Sequence, residues 1–209
     1  MLAYYRKYDV TQTVMIGGIQ KTRIFSDIKP DMKAIMFLAG MKHTHDDGLL
    51  GALAAFLAKE GILVESSTFL VPEILAEKGC WTRKKPGKSQ LNDIEVGWKL
   101  AKEIGRLDIG QCIVIGGGSV LAVEAIDGTD ATIKRGGSLG NGDAVVVKVS
   151  KPDQDMRFDI PAVGAETIKN MHASGVSTLV IEAGKAVVFN KEEMIKIADK
   201  KGISIVVME

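Results

Sequence analysis

Cysteine is scarce in this chain, with only Cys80 and Cys112 among 209 residues. The two stand far apart and outside any C-x-x-C pair, which argues against a disulfide framework and against a thiolate zinc site. Both read as reduced thiols of a reducing compartment, with Cys112 expected inside a buried strand. Excess charge is also lacking. A net charge of +1 provides no large positive field to draw in a polyanion, so no nucleic-acid partner is expected. Long apolar runs are missing too: the longest of the first half, Ala34 to Met41, falls far short of the roughly 20 residues that cross a bilayer. The opening residues carry Tyr4, Tyr5, Arg6 and Lys7 rather than the apolar core of a signal peptide. A cytoplasmic protein is expected, with a contact with a membrane surface left open. Neither a G-x-S-x-G elbow nor a Cys–His pair supports covalent catalysis.

What is present is an ordinary globular composition, 46% apolar and 25% charged, in a chain long enough for a real core. The texture is α/β. Thr13–Ile16 reads as a strand ending at Gly17-Gly18, and Asp31–Met41 as an apolar helix. Gly48–Glu60 places Leu49, Leu50, Leu53, Phe56 and Leu57 at helical spacing, stopped by Gly61, before a strand over Ile62–Val64. This is a β-α-β-like pattern with one complete crossover at most, a domain set at residues 1–76, with a Pro-, Gly- and Lys/Arg-marked linker over 77–91. Residues 92–209 then form a mixed α/β catalytic domain. In it Asn92–Ile104 is an amphipathic helix with Ile94, Trp98, Leu100 and Ala101 inward. Cys112–Ile115 and Val120–Glu124 form a hairpin about Gly116-Gly117-Gly118-Ser119. Thr129–Arg135 is a short helix, Ala144–Val149 a strand and Thr167–Ala173 a helix. Thr178–Glu182 and Ala186–Phe189 read as a second hairpin, followed by helix Lys191–Lys200 and strand Ile203–Val207.

Two polar clusters follow strands of that second half. Glu124, Asp127 and Asp130 recur every three residues. Across a strand-to-helix turn they can converge on one cation, with Gly128 allowing close backbone approach; they equally suit a turn and a Thr129 helix cap with solvated acids. In the other cluster Lys148, Lys151 and Arg157 interleave with Asp155 and Asp159. On an extended segment Asp155, Arg157 and Asp159 share a face, with Phe158 opposite. Such a row suits metal and phosphate together, or a salt-bridged edge. Gly164 with Glu166-Thr167 opens a helix whose free N–H groups suit an anion or simply a helix start. His43, His45, Asp46 and Asp47 read better as loop and cap than as a metal site. Met32, Met36, Met41 and Phe37 read as a core or interdomain face, with a lipid-facing role left open.

Three motifs carry a family resemblance: Leu107-Asp108-Ile109-Gly110-Gln111, Val123 to Asp130, and Gln154 to Pro161 with Gly164 and Thr167. In this order they resemble the metal-dependent, two-domain UDP-2,3-diacylglucosamine pyrophosphatases of lipid A synthesis. Those are distinct from the calcineurin-like metallophosphoesterases that do the same job. The resemblance implies a partial Rossmann-like N-terminal domain before a mixed α/β C-terminal catalytic domain, and hydrolysis of UDP-2,3-diacylglucosamine to 2,3-diacylglucosamine 1-phosphate (lipid X) and UMP, with Mg²⁺ or Mn²⁺; a peripheral contact with the inner membrane is left open. It implies Asp159, Asp155 and Arg157 as catalytic residues and Asp155, Asp159, Glu124, Asp127 and Asp130 as metal ligands. The implied substrate contacts are Lys148, Lys151, Gln111, Thr129, Gly164 and Thr167. Relatives begin with a further Gly-rich strand and loop, so the chain reads as N-terminally shortened, and Asp127 stands where relatives usually carry Glu. A homodimer is left open. Two rival readings remain: a non-catalytic nucleotide-sugar or lipid-binding protein, and a Mg²⁺-dependent phosphohydrolase acting on a soluble nucleotide.

Overall fold

The computed structural model of the chain describes residues 1–16 and 46–209. Gly17-Gly18, the helix expected over Asp31–Met41 with its Met32, Met36 and Phe37, and the His43–His45 pair lie outside the described residues. The chain divides into two compact units, residues 1–70 with 155–159, and residues 71–154 with 160–209. Among the described residues, no helix is long and apolar enough to cross a membrane.

The first unit contains α1 (Leu2–Lys7), β1 (Gln12–Val14), α2 (Asp46–Lys59) and β2 (Leu63–Glu65). β1 and β2 pair in parallel, with Thr13 opposite Val64. Ala54 and Leu57 of α2 are buried against Ile62 and Val64, and Leu50, Leu53 and Phe56 pack on them, as helical spacing requires. Gly61, at φ 80°, ends α2 in the left-handed conformation that a side chain would strain. Phe158 is buried in the same core. The extended row expected over Asp155–Asp159 is a turn instead. Phe158 N donates to Asp155 O at 3.2 Å, and Arg157 N donates to Asp155 Oδ1 at 3.1 Å. A carboxylate two residues back thus competes successfully for the backbone and folds the segment over. Ser66 Oγ fixes that fold by donating to Met156 O at 2.8 Å.

The second unit contains β3 (Gly79–Cys80), α3 (Lys88–Arg106), β4 (Cys112–Gly116), β5 (Ser119–Val123), α4 (Gly128–Leu139), β6 (Ala144–Lys148) and β7 (Ala162–Val163). It continues with α5 (Ala165–Ala173), β8 (Val176–Glu182), β9 (Val187–Val188), α6 (Lys191–Lys201) and β10 (Ser204–Met208). Six strands form one mixed sheet in the order β3-β10-β8-β6-β4-β5. β6, β8 and β10 are parallel to one another, β4 runs against β6, and β5 against β4. Consequently β5, β6, β8 and β10 all end at the same edge of the sheet. Residues 77–91 carry β3, which pairs with β10, and the first turn of α3.

Alternation along the strands feeds two cores. Cys112, Val114, Ala144, Val146, Leu179 and Ile205 face one side, where Ile133 of α4, Ile168 and Met171 of α5 and Met194 of α6 cover them. Ile113, Ile115, Val145, Val147 and Val180 face the other side, covered by Ile94 and Ala101 of α3. Trp98 packs there as expected, but Leu100 is exposed, one step round the helix from the fully buried Ala101.

The hairpin of β4 and β5 forms as expected. Gly117 and Gly118 adopt φ 58° and 78°, the twisted turn that suits a two-residue hairpin loop. Buried Asp93 of α3 accepts hydrogen bonds from both of their N–H groups, at 3.0 and 2.7 Å. The second expected hairpin does not form. Both edges of β8 are occupied by β6 and β10, so β9 pairs in parallel with β7 instead. The helix expected to stop at Arg135 continues to Leu139. Gly136 and Gly137 are there for proximity rather than termination: a Cβ on Gly136 would lie 2.3 Å from Val114 Cβ, and one on Gly137 would lie 2.2 Å from Ser174 O.

Substituting Gly136→Ala therefore sets a gain of about 1 kcal/mol in helix propensity against overpacking of about 1–3 kcal/mol on a rigid β-branched neighbour. A net loss of stability in urea unfolding is expected. An unchanged or raised midpoint would show that α4 does not rest on β4 this closely.

Candidate active site

The shared edge where strands end collects the second unit's buried charges. Lys148 is the last residue of β6, and Glu124 directly follows β5; both are at least nine-tenths buried. Glu124 is fixed at its backbone by donation from its N–H to Cys112 O at 2.8 Å. Its carboxylate accepts the Gln111 N–H at 3.1 Å and the Thr129 hydroxyl at 2.6 Å. Lys148 Nζ donates to Thr129 Oγ1 at 3.1 Å and to Ala162 O at 3.2 Å. Gly110 is required beneath this arrangement, because a Cβ there would sit 2.2 Å from Glu124 O. The residues Gln111, Glu124, Thr129 and Lys148, all singled out from the sequence, are thus brought into one hydrogen-bonded group. Gln111 joins it through its main chain.

Other expected site residues go elsewhere. Asp127 accepts the Ala125 N–H at 3.2 Å and binds Arg135, whose guanidinium holds the carboxyl below its usual range. Asp130 is exposed on the first turn of α4. Lys151 pairs with Asp108 at 2.6 Å. Gly164 N donates to Thr167 Oγ1 at 3.3 Å, so the threonine caps its own helix beside an open depression that also carries Phe189 and Asn190. In the first unit Arg157 binds the Asp155 carboxylate through Nε and Nη2, at 2.9 and 2.6 Å, and holds its pKa down. Asp159 is exposed with φ 56°, a left-handed conformation that aspartate tolerates better than most side chains.

Comparison with known proteins matches this chain in both halves. Residues 77–206 match the LpxI C-terminal domain, and residues 1–74 the LpxI N-terminal domain. Over 190 residues the chain is 34% identical to the UDP-2,3-diacylglucosamine pyrophosphatase LpxI of Caulobacter vibrioides, covering 86% of this chain and 68% of that relative. The chain belongs to the LpxI family.

For this LpxI-family protein, the disposition of the carboxylates limits how a metal can be held. Among the described residues, no three acidic, histidine or cysteine side chains form a ready-made cage. Glu124, Asp127 and Asp155 already accept hydrogen bonds or ion pairs. This donor set fits Mg²⁺ held largely by substrate phosphate and water with one or two carboxylates, which is how that small, reluctantly dehydrated ion usually binds. Cys112, buried beside the cluster, is no ligand: burial, with the Glu124 charge adding to it, pushes its thiol far above the ordinary range.

Glu182, at the end of β8, went unread in the sequence. It is buried, and its Oε2 accepts Lys102 Nζ at 2.5 Å and Ser150 N at 2.9 Å, while Lys185 lies 3.1 Å from Oε1. It therefore ties α3 to the backbone leaving β6, two residues past Lys148. A lone acid closing a buried strand run with no other charge was the available signal. Nothing in the spacing pointed to Lys102, 80 residues earlier.

Burial alone would raise the Glu182 pKa, but the hydrogen bonds from Lys102, Ser150 N–H and Lys185 outweigh it and hold the carboxyl below its usual range. A depressed folded-state pKa contributes stability that is complete above the unfolded value and is lost as pH falls through the folded one. Glu182→Gln should therefore unfold more easily than wild type near neutral pH, with the difference shrinking as pH falls through the acidic range in which the carboxylate is protonated. A gap that stays constant across that range would mean the carboxylate charge contributes nothing.

Proposed function

We propose that this protein hydrolyses the diphosphate of UDP-2,3-diacylglucosamine, releasing UMP and 2,3-diacylglucosamine 1-phosphate, a step of lipid A biosynthesis. The observation that carries the reading is the 34% identity to a UDP-2,3-diacylglucosamine pyrophosphatase over 86% of the chain. The buried group around Lys148 supports it chemically. A dianionic diphosphate needs fixed positive charge where electrons accumulate on the attacked phosphoryl group, and a preorganised ammonium costs no reorganisation when the reaction occurs.

The roles follow from what each group can do. Lys148 binds a phosphate oxygen and stabilises charge growing on it; Arg157 supplies a second cation. Asp159 accepts the proton of the attacking water, and the departing phosphate monoester keeps the electrons of the broken P–O bond. A magnesium or manganese ion, when bound, would neutralise diphosphate charge and acidify a bound water; in the second unit Asp130, exposed on the first turn of α4, is the ligand we assign. The two acyl chains of that substrate favour a cytoplasmic protein that meets it at the surface of the inner membrane.

The test is UMP release from UDP-2,3-diacylglucosamine with Mg²⁺, with EDTA, and by Asp159→Ala. Release should depend on the metal and fall by about 100-fold or more in the variant, the scale of a lost proton-transfer group. Release that survives both EDTA and the substitution would remove the metal and Asp159 from the reaction; no release at all by wild type would remove the substrate assignment.

A further inference from the structure

Thr129 is drawn by its type and place toward two roles, capping α4 or touching substrate, yet its hydroxyl is already bonded on both sides within the protein. Its hydroxyl has one hydrogen. A lysine ammonium can only donate, so Thr129 Oγ1 must accept from Lys148 at 3.1 Å. Its own hydrogen must then go to Glu124 Oε1, 2.6 Å away. The polarity of the relay is fixed without ambiguity: ammonium to hydroxyl to carboxylate. Lys148 and Glu124, opposite charges that are both largely buried, make no direct ion pair; the threonine stands between them.

This matters for where the ammonium points. Two of its three hydrogens are taken, by Thr129 Oγ1 and by Ala162 O at 3.2 Å. The third direction is thereby set. Remove the hydroxyl, and the nearest stabilising move for a half-satisfied buried ammonium is collapse onto the Glu124 carboxylate, whose own donor has also gone. The charge would remain in the protein but would no longer be held where Thr129 and Ala162 fix it.

We propose that Thr129 is a positioning residue: by holding Lys148 apart from Glu124 it aims the ammonium at the diphosphate oxygen on which charge develops. This rests on the reading of the protein as a UDP-2,3-diacylglucosamine pyrophosphatase. Thr129 touches no substrate atom itself, and its effect passes wholly through Lys148.

The experiment compares Thr129→Val, which keeps the shape and deletes the hydroxyl, with Thr129→Ser, which keeps the hydroxyl. Each is assayed for UMP release in wild-type and Lys148→Met backgrounds, after circular dichroism shows it folded. Thr129→Val should lower kcat by about 10- to 100-fold, the scale of a misaimed group, with KM changed less than about threefold, and Thr129→Ser should recover most of the loss. In the Lys148→Met background Thr129→Val should have no further effect, because residues acting as one unit are not additive. Wild-type kcat in folded Thr129→Val, or a full additional loss beside Lys148→Met, would overturn the proposal. A second readout needs no turnover: the ¹H–¹⁵N ammonium resonance of Lys148 should be resolved and slowly exchanging in wild type and Thr129→Ser, and shifted in Thr129→Val. If wild type releases no UMP, the substrate reading has failed, and this resonance alone decides the positioning role; an identical signal in all three proteins would refute it. Should Thr129→Val not fold, Thr129→Ser and Thr129→Ala carry the same comparison.

Discussion

A lysine at the end of a central strand, nine-tenths buried, is the constraint around which the second unit is arranged. Taking an ammonium out of water is costly unless charge and hydrogen bonds replace its hydration. The neighbouring strand and helix supply what is needed: the Ala162 carbonyl, the Thr129 hydroxyl and, behind the hydroxyl, the Glu124 carboxylate. Each of these has its own anchor. Glu124 is gripped by Gln111 N–H and pressed by Gly110, Thr129 rides on the first turn of α4, and the backbone beyond Lys148 is held by Glu182. A charge so expensive to keep has little value as a stabiliser, which favours a role in recognising an anion.

Topology explains why these groups meet. Strands β5, β6, β8 and β10 point the same way although β4 intervenes against them. Their last residues, Val123 leading to Glu124, Lys148 and Glu182, therefore fall on one edge, where strand ends leave side chains unfilled by the sheet. The edge has two sides. Lys148 belongs to the face covered by α4, α5 and α6, and Glu182 to the face covered by α3. One residue presents charge; the other locks the chain that carries it. The glycines Gly110, Gly136 and Gly137 let backbone and helix approach closely enough for this to work.

Much of this was legible in the residues. Gly116-Gly117-Gly118 between two β-branched runs announced a hairpin, and the buried strands of the sheet were visible as apolar runs. Glu124, Thr129 and Lys148 drew notice because polar residues gathered just past strand ends. What periodicity could not supply was pairing. Thr178–Glu182 and Ala186–Phe189 looked like a hairpin because a Gly-containing turn separates them, but β8 has no free edge, and only the sheet order reveals that. Local competition was also invisible. Asp155 and Arg157 alternate as a strand would, yet they bind each other and close a turn around buried Phe158. Asp127 is drawn off by Arg135, a full two turns along α4. The sequence names acids; it does not say which are already spoken for.

The central claim is that buried Lys148 is there for the diphosphate. Its most direct test is kcat/KM for UDP-2,3-diacylglucosamine in Lys148→Met, a substitution that keeps an unbranched side chain of nearly the same length and removes its charge. A loss of about 100-fold or more in a folded protein is predicted, the scale of removing one preorganised donor from a charged transition state. A folded variant that hydrolyses the substrate as fast as wild type would contradict the account.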